Sequence, residues 1–181
     1  MKTRVITLSA ISSALCALTL VLGTYFAELF DLFAVMFGPL FLSLPLFLDS
    51  PKGSFLAYLS AGILALLLTG FNITNLVYVS YFPFFGIYPI VKYISVMKKW
   101  KKPIFYTVSC LWFILTVIGM YYYYTAFLGL DLGLIIKIKQ EYIPILLAIG
   151  SAPIFFLIDR FIFVAQIMIF RLLKKIIKIQ K

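Results

Sequence analysis

The sequence predicts an all-α polytopic membrane protein: a bundle of six transmembrane helices with cytoplasmic N- and C-termini. Of its 181 residues 64% are apolar and only 12% are charged, and the mean hydropathy is +1.11. An average soluble domain is about 45–50% apolar and about 25% charged, so this composition cannot supply a water-facing surface. We expect a single membrane domain over residues 1–181 that ends in a basic cytoplasmic tail at 168–181.

Six apolar stretches define the predicted spans, because at ~1.5 Å rise per residue a helix needs about 20 residues to cross the hydrocarbon core. Pro39 and Pro45 predict an irregular second helix, since a proline removes a backbone N–H donor. Pro83 and Pro89 predict a kink in the fourth. The spans are 5–25, 32–48, 54–71, 73–91, 103–128 and 143–167.

The distribution of basic residues predicts the orientation. If the N-terminus is cytoplasmic, thirteen of the 16 basic residues fall in cytoplasmic segments, and only Lys137 and Lys139 fall in outer loops. This asymmetry follows the positive-inside rule. The net charge of +10 then indicates orientation and binding of anionic membrane lipid, and not of nucleic acid. The thirteen are Lys2, Arg4, Lys52, Lys92, Lys98, Lys99, Lys101, Lys102, Arg171, Lys174, Lys175, Lys178 and Lys181.

The residues that carry most enzymatic chemistry are scarce. The chain has no histidine, six acidic residues, and two distant cysteines, Cys16 and Cys110. We therefore expect no metal site, no cofactor and no enzymatic activity. A phosphate-binding loop of the G-x-x-x-x-G-K-[ST] type is also lacking, so transport energy would come from a partner. Asp159 and Arg160, deep in the last span, are expected to form a structural clamp, with a proton relay as the alternative.

The first span carries small residues on one face. Ala10, Ala14 and Ala17 follow each other at spacings of four and three, which places them on one side of a helix. In lipid, such a face lets another helix approach closely. The face is therefore predicted either to pack inside this chain's own bundle or to dock a partner helix.

Polar and aromatic residues gather in the predicted outer half, where they indicate a small-molecule site. Positions 75, 78 and 81 recur every three residues and lie near one helix face. The alternatives are an interfacial tyrosine belt and, for Glu28 and Asp31, a solvated loop. The candidate substrate-binding residues are Tyr25, Glu28, Asn72, Asn75, Tyr78, Tyr81 and Tyr122.

Several of these motifs together resemble the S component, the substrate-binding membrane subunit of energy-coupling factor (ECF) vitamin transporters. They are the Ala-x-x-x-Ala of Ala10 and Ala14, the proline-containing second span, and the short turn from Pro51 to Gly53. The small-residue third span ends at Gly70, and the last span leads into a basic terminus. The similarity extends over nearly the whole chain in length, span number and charge placement.

The resemblance implies a multi-pass protein of a bacterial or archaeal plasma membrane that captures a vitamin-like small molecule at its outer half. Its implied partners are a transmembrane coupling protein and two cytoplasmic ATPases. Ala10 and Ala14, with Ala17 adjacent, would meet the coupling protein. The alternative is an MreD-like scaffold of cell-envelope assembly, which is similar in size, span number and basic loops and binds no soluble ligand.

Overall fold

The computed structural model describes residues 2–129 and 140–179, and within those ranges it is all-helical, with no strand. The fold class is therefore confirmed at the level of an all-α protein. Five helices are long and apolar enough to cross a membrane, which agrees with a multi-pass membrane protein. The chain forms two compact units, Met1–Lys99 with Phe161–Lys181, and Trp100–Arg160, which are described separately below.

The first unit is built on helix α1 (Lys2–Tyr25), which packs against α2 (Ala27–Phe41) and α3 (Pro51–Leu68). Small residues make this packing close: a Cβ placed on Gly23 would lie 2.3 Å from Ala34 Cβ. Serines join α1 to α3, since the Ser60 hydroxyl donates to Ser13 Oγ over 2.8 Å. Without a hydrophobic driving force in lipid, close approach and interhelical hydrogen bonds of this kind hold helices together.

The second predicted span is irregular, as its prolines predict. Helix α2 includes Pro39 and ends at Phe41, and a short 3-10 turn follows at Pro45–Leu48. In the turn that follows α2, backbone N–H groups bond its last carbonyls, as Leu44 N–H does to the Phe41 carbonyl over 3.0 Å. Ser12 also donates to the Phe41 carbonyl over 2.7 Å, and Ser54 donates to the Leu42 carbonyl. Serines on α1 and α3 thus add hydrogen bonds to the carbonyls at this break.

The predicted fourth span, 73–91, is not a continuous helix, and this part of the prediction is wrong. The segment forms a short α4 (Leu76–Ser80), a π-helical turn (Tyr81–Phe85) and α5 (Tyr88–Met97). Pro83 and Pro89 cannot donate backbone hydrogen bonds, and Gly86 N–H instead donates five residues back to the Tyr81 carbonyl over 2.9 Å. Two prolines therefore break the segment more completely than the expected kink.

Lys92 lies inside a helix, beyond the predicted end of the fourth span. Helix α5 extends to Met97, and Lys92 is only 4% exposed; its assignment to the cytoplasmic side stays a prediction. Its ammonium group lies 5.9 Å from the Tyr88 ring centroid and 5.2 Å from that of Phe163. Cation–π contacts of this kind compensate part of the cost of burying the charge.

The second unit comprises α6 (Lys102–Leu128), a 3-10 turn (Gln140–Tyr142) and the first half of α7 (Ile143–Ile179). The Phe113 and Phe155 rings pack with centroids 5.9 Å apart. Helix α7 runs without a break through Pro153, and its residues from Phe161 onward belong to the first unit. The region 168–179, predicted as a basic tail, continues this helix.

Candidate functional site

The small-residue face of α1 divides into an exposed and a buried part. Ala10 and Ala14, one turn apart, are exposed, whereas Ala17 is only 4% exposed. Ser13, beside them, is buried against Ser60 of α3. Ala10 and Ala14 thus form an uncovered small-residue surface, while Ala17 packs inside the first unit.

Tyr78 and Tyr81, predicted to contact a ligand, lie in the core of the first unit, at 1% and 0% exposure. The Tyr78 hydroxyl is 2.9 Å from Thr69 Oγ1, beyond the end of α3. The Tyr81 hydroxyl donates to the Tyr58 carbonyl over 3.0 Å and accepts from the Cys16 thiol at 3.6 Å. Both hydroxyl groups are therefore bonded to other parts of the same unit.

The surroundings of Tyr81 are tightly packed. The Tyr58 and Tyr81 rings lie 5.3 Å apart, and the Tyr81 and Phe82 rings 5.5 Å apart. A Cβ on Gly86 would lie 2.5 Å from the Tyr58 ring, and one on Gly62 would lie 2.7 Å from the Phe82 ring. This packing leaves no room for a ligand beside Tyr81 in the conformation described.

Three candidate polar residues, Tyr25, Asn72 and Asn75, lie near the C-terminal end of α3. The charge distribution predicts that this end faces outward. The Tyr25 hydroxyl, at the end of α1, donates to the Leu68 carbonyl over 3.2 Å. Asn72 is exposed and accepts from the Thr74 hydroxyl over 3.0 Å. Asn75 caps α4 by accepting from Val77 N–H over 2.9 Å, as asparagine commonly does at this position. Tyr25 and Asn72 are accessible to a ligand, and Asn75 has a structural role.

The remaining candidates are separate from this group. Tyr122 belongs to the second unit, where it is 57% exposed and its ring lies 5.3 Å from that of Tyr121. The side chain of Glu28 lies outside the described residues, and Asp31 is half-buried on α2. Asp159 is buried and its neighbour Arg160 is exposed, because adjacent residues on a helix point about 100° apart; the clamp and the proton relay stay predictions.

Sequence reasoning missed two features of the first unit. The Cys16 thiol links α1 to Tyr81, a contact that its position in the sequence did not indicate. Gln166 of α7 donates to Ser43 Oγ over 3.2 Å and to the Pro89 carbonyl over 3.3 Å. An amide side chain in an apolar helix was an available signal for such a contact, but its partners are 123 and 77 positions away. Proximity across such separations is not visible in one sequence.

Comparisons with protein-family models, curated proteins and solved structures give no match for this chain.

Proposed function

We propose that this protein is the substrate-binding subunit of an ECF-type importer, which captures a vitamin-like small molecule at the outer half of a plasma membrane. Six crossings with both termini in the cytoplasm, and the membrane of a bacterium or archaeon, belong to the same proposal. Partner ATPases, reached through a transmembrane coupling protein, power the uptake. The chain itself is neither an ATPase nor another enzyme, and it uses no cofactor.

The exposed pair Ala10 and Ala14 is the observation that carries the proposal. Helix α1 packs against α2 and α3, yet it leaves these two alanines uncovered one turn apart. In lipid, a small-residue surface allows the backbone of a second helix to approach. This surface supports docking to the coupling protein, and the accessible Tyr25 and Asn72 at the opposite end of the first unit support a ligand entrance there.

A ligand can reach the buried hydroxyls of Tyr78 and Tyr81 only after a conformational change. Ligand contact with either tyrosine requires its internal hydrogen bond, to Thr69 or to Tyr58, to be replaced by one to the ligand. The conformation described here is then a closed one. A ligand that prefers the open conformation shifts the population towards it.

A direct test is to purify the protein from cells of its natural host grown in rich medium and to analyse bound small molecules by mass spectrometry. The proposal expects a stoichiometric vitamin-sized compound and co-purification of an ATPase pair. Absence of both would contradict it.

Variants at the exposed alanines test the docking surface. We expect Ala10→Trp and Ala14→Trp to abolish transport while ligand binding survives, because the bulky ring keeps the partner helix away. Leu15→Trp, on an adjacent exposed face of α1, is the matched control and should transport normally. Loss of binding together with transport in the alanine variants would instead indicate internal packing at this face.

An MreD-like scaffold is the second candidate. The tight packing around Tyr81 favours it, since a scaffold needs no ligand cavity. It predicts co-purification of other membrane proteins, with neither a small molecule nor an ATPase pair. The two experiments above therefore separate the candidates.

A further inference from the structure

An open apolar groove of about 550 Å³ lies between α3 and α5 in the first unit. Its volume is within the range of about 300–1,000 Å³ that is usual for small-molecule sites. Seven of its eight lining residues are apolar, and the eighth is Lys52. The first turns of α3 contribute Pro51, Lys52, Phe55 and Leu56, and α5 with the residue before it contributes Ile87, Ile90, Val91 and Ile94.

The two helices run antiparallel along this groove, which fixes its orientation. Near the middle of α3, the Tyr58 hydroxyl donates to the Phe82 carbonyl over 2.9 Å. Just before α3 begins, Asp49 accepts a hydrogen bond from Tyr93. The start of α3 therefore lies beside the end of α5. The lining of the groove therefore extends to Lys52, at the start of α3 and beside the end of α5.

That end of the unit carries an excess of positive charge. Lys98 directly follows α5, and its N–H donates to the carbonyl of the groove residue Ile94 over 2.8 Å. Both Lys52 and Lys98 are exposed. The next residue, Lys99, is also exposed. Arg4 of α1 lies near the same end of the unit, because its neighbour Val5 is in contact distance of a Cβ placed on Gly53 at the start of α3. The positive end of the α3 dipole adds to the field.

Among the described residues, Asp49 is the acidic residue at this end of the first unit, and it is hydrogen-bonded to Tyr93. The Tyr93 hydroxyl donates its hydrogen bond to the Asp49 carboxylate. Lys52, Lys98, Lys99 and Arg4 outnumber this one acid. Helix α7 adds Arg171 and Lys174 just beyond Phe170, whose ring lies 6.3 Å from that of Tyr93.

From this juxtaposition we infer that the groove between α3 and α5 binds an anionic phospholipid, with an acyl chain along Phe55, Ile90 and Val91 and the phosphate between Lys52 and Lys98. The apolar lining matches a hydrocarbon chain, and the lysines at its open end match an anionic headgroup. Basic sites between membrane helices bind such headgroups. A soluble substrate would find no polar group along the groove, and a partner helix would leave the paired lysines without a counter-charge.

The test compares lipids on the purified, delipidated full-length protein by native mass spectrometry. The probes are phosphatidylglycerol and phosphatidylcholine with identical palmitoyl and oleoyl chains, and sn-glycerol 1-phosphate represents the headgroup without chains. We expect the wild-type protein to retain phosphatidylglycerol in preference to phosphatidylcholine, at one site per chain, and glycerol phosphate not to compete.

Variants locate the site. Lys52→Gln and Lys98→Gln should each weaken phosphatidylglycerol binding about 5-fold, because a basic residue near an anionic lipid contributes roughly this factor. Val91→Trp should reduce binding of both lipids, because the tryptophan ring fills the groove while both lysines are retained. Lys52→Arg and Lys98→Arg, which keep the positive charge at the same positions, are the matched controls and should bind like wild type. Thermal unfolding of each variant verifies that it is folded.

Three results would overturn the inference: equal retention of the two lipids, an equal loss of phosphatidylglycerol in the charge-preserving Lys52→Arg and Lys98→Arg, or competition by glycerol phosphate at equal concentration. A change from dimer to monomer in Val91→Trp, with lipid binding intact, would assign the groove to a second copy instead. The site does not depend on the importer proposal, because none of its residues is a candidate for substrate or coupling-protein contact.

Discussion

At the scale of single residues, close packing decides which side chains are available for function. Gly86 lets the Tyr58 ring lie against the π-helical turn, and Tyr58 in turn donates to the Phe82 carbonyl. Tyr81 is held between Tyr58 and Cys16. The sequence predicted Tyr81 as a ligand contact from its spacing, but spacing cannot distinguish a tyrosine that faces a cavity from one that fills it.

We predict that Gly86→Ala destabilises the protein by about 1–3 kcal/mol, because its Cβ overpacks the core 2.5 Å from the Tyr58 ring. Denaturant unfolding in detergent micelles measures the change. Gly119→Ala is the matched control, since its Cβ meets no described atom within 4 Å, and alanine is the better helix former. Equal stability of Gly86→Ala and wild type would mean that the Tyr58 ring can move.

At the scale of elements, the decisive feature is the broken segment Leu76–Met97. Its first helix has only five residues and depends on the Asn75 cap, because so short a helix has few internal hydrogen bonds. Two prolines then produce a π-helical turn, a feature often found at functional sites. Pro83 and Pro89 made an irregular helix predictable. They did not predict which carbonyl groups would lose their helical partners, or which side chains would bond those carbonyls instead.

Variants of Asn75 separate its structural role from the proposed ligand contact. Asn75→Ala should lower stability by about 1 kcal/mol through loss of the cap, whereas Asn75→Ser should retain it. Thermal unfolding checks this difference. If Asn75 also contacts the substrate, affinity falls in both variants; if its role is only the cap, Asn75→Ser binds like wild type. Unchanged stability of Asn75→Ala would contradict the capping role.

At the scale of the whole molecule, the number of crossings depends on this same segment. Five long helices alone would place the two ends of the chain on opposite sides of the membrane, whereas six crossings would place them on the same side. The positive-inside count predicts six. Even if the buried Lys92 is left out, the count stays at twelve against two.

Cysteine labelling on each side of the broken segment tests the topology. In a Cys16→Ser, Cys110→Ala background, which retains a hydrogen-bonding group at position 16, we expect Ile73→Cys to react with a membrane-impermeant maleimide in intact cells. Lys99→Cys should react only after permeabilisation. Both positions are exposed in the first unit. Labelling of both from the same side would show that Leu76–Met97 does not cross the membrane.

The sequence by itself determined the class of protein and the approximate limits of its long helices. Hydropathy and proline positions act locally, so α1, α3, α6 and the start of α7 lie within a few residues of their predicted spans. Only the tertiary structure decided that Ala10 and Ala14 are exposed and Ala17 is buried, that Tyr81 bonds Tyr58 and Cys16, and that α3 and α5 enclose a groove ending at Lys52. These features arise where faces of helices distant in sequence meet, and local periodicity contains no information about which faces meet.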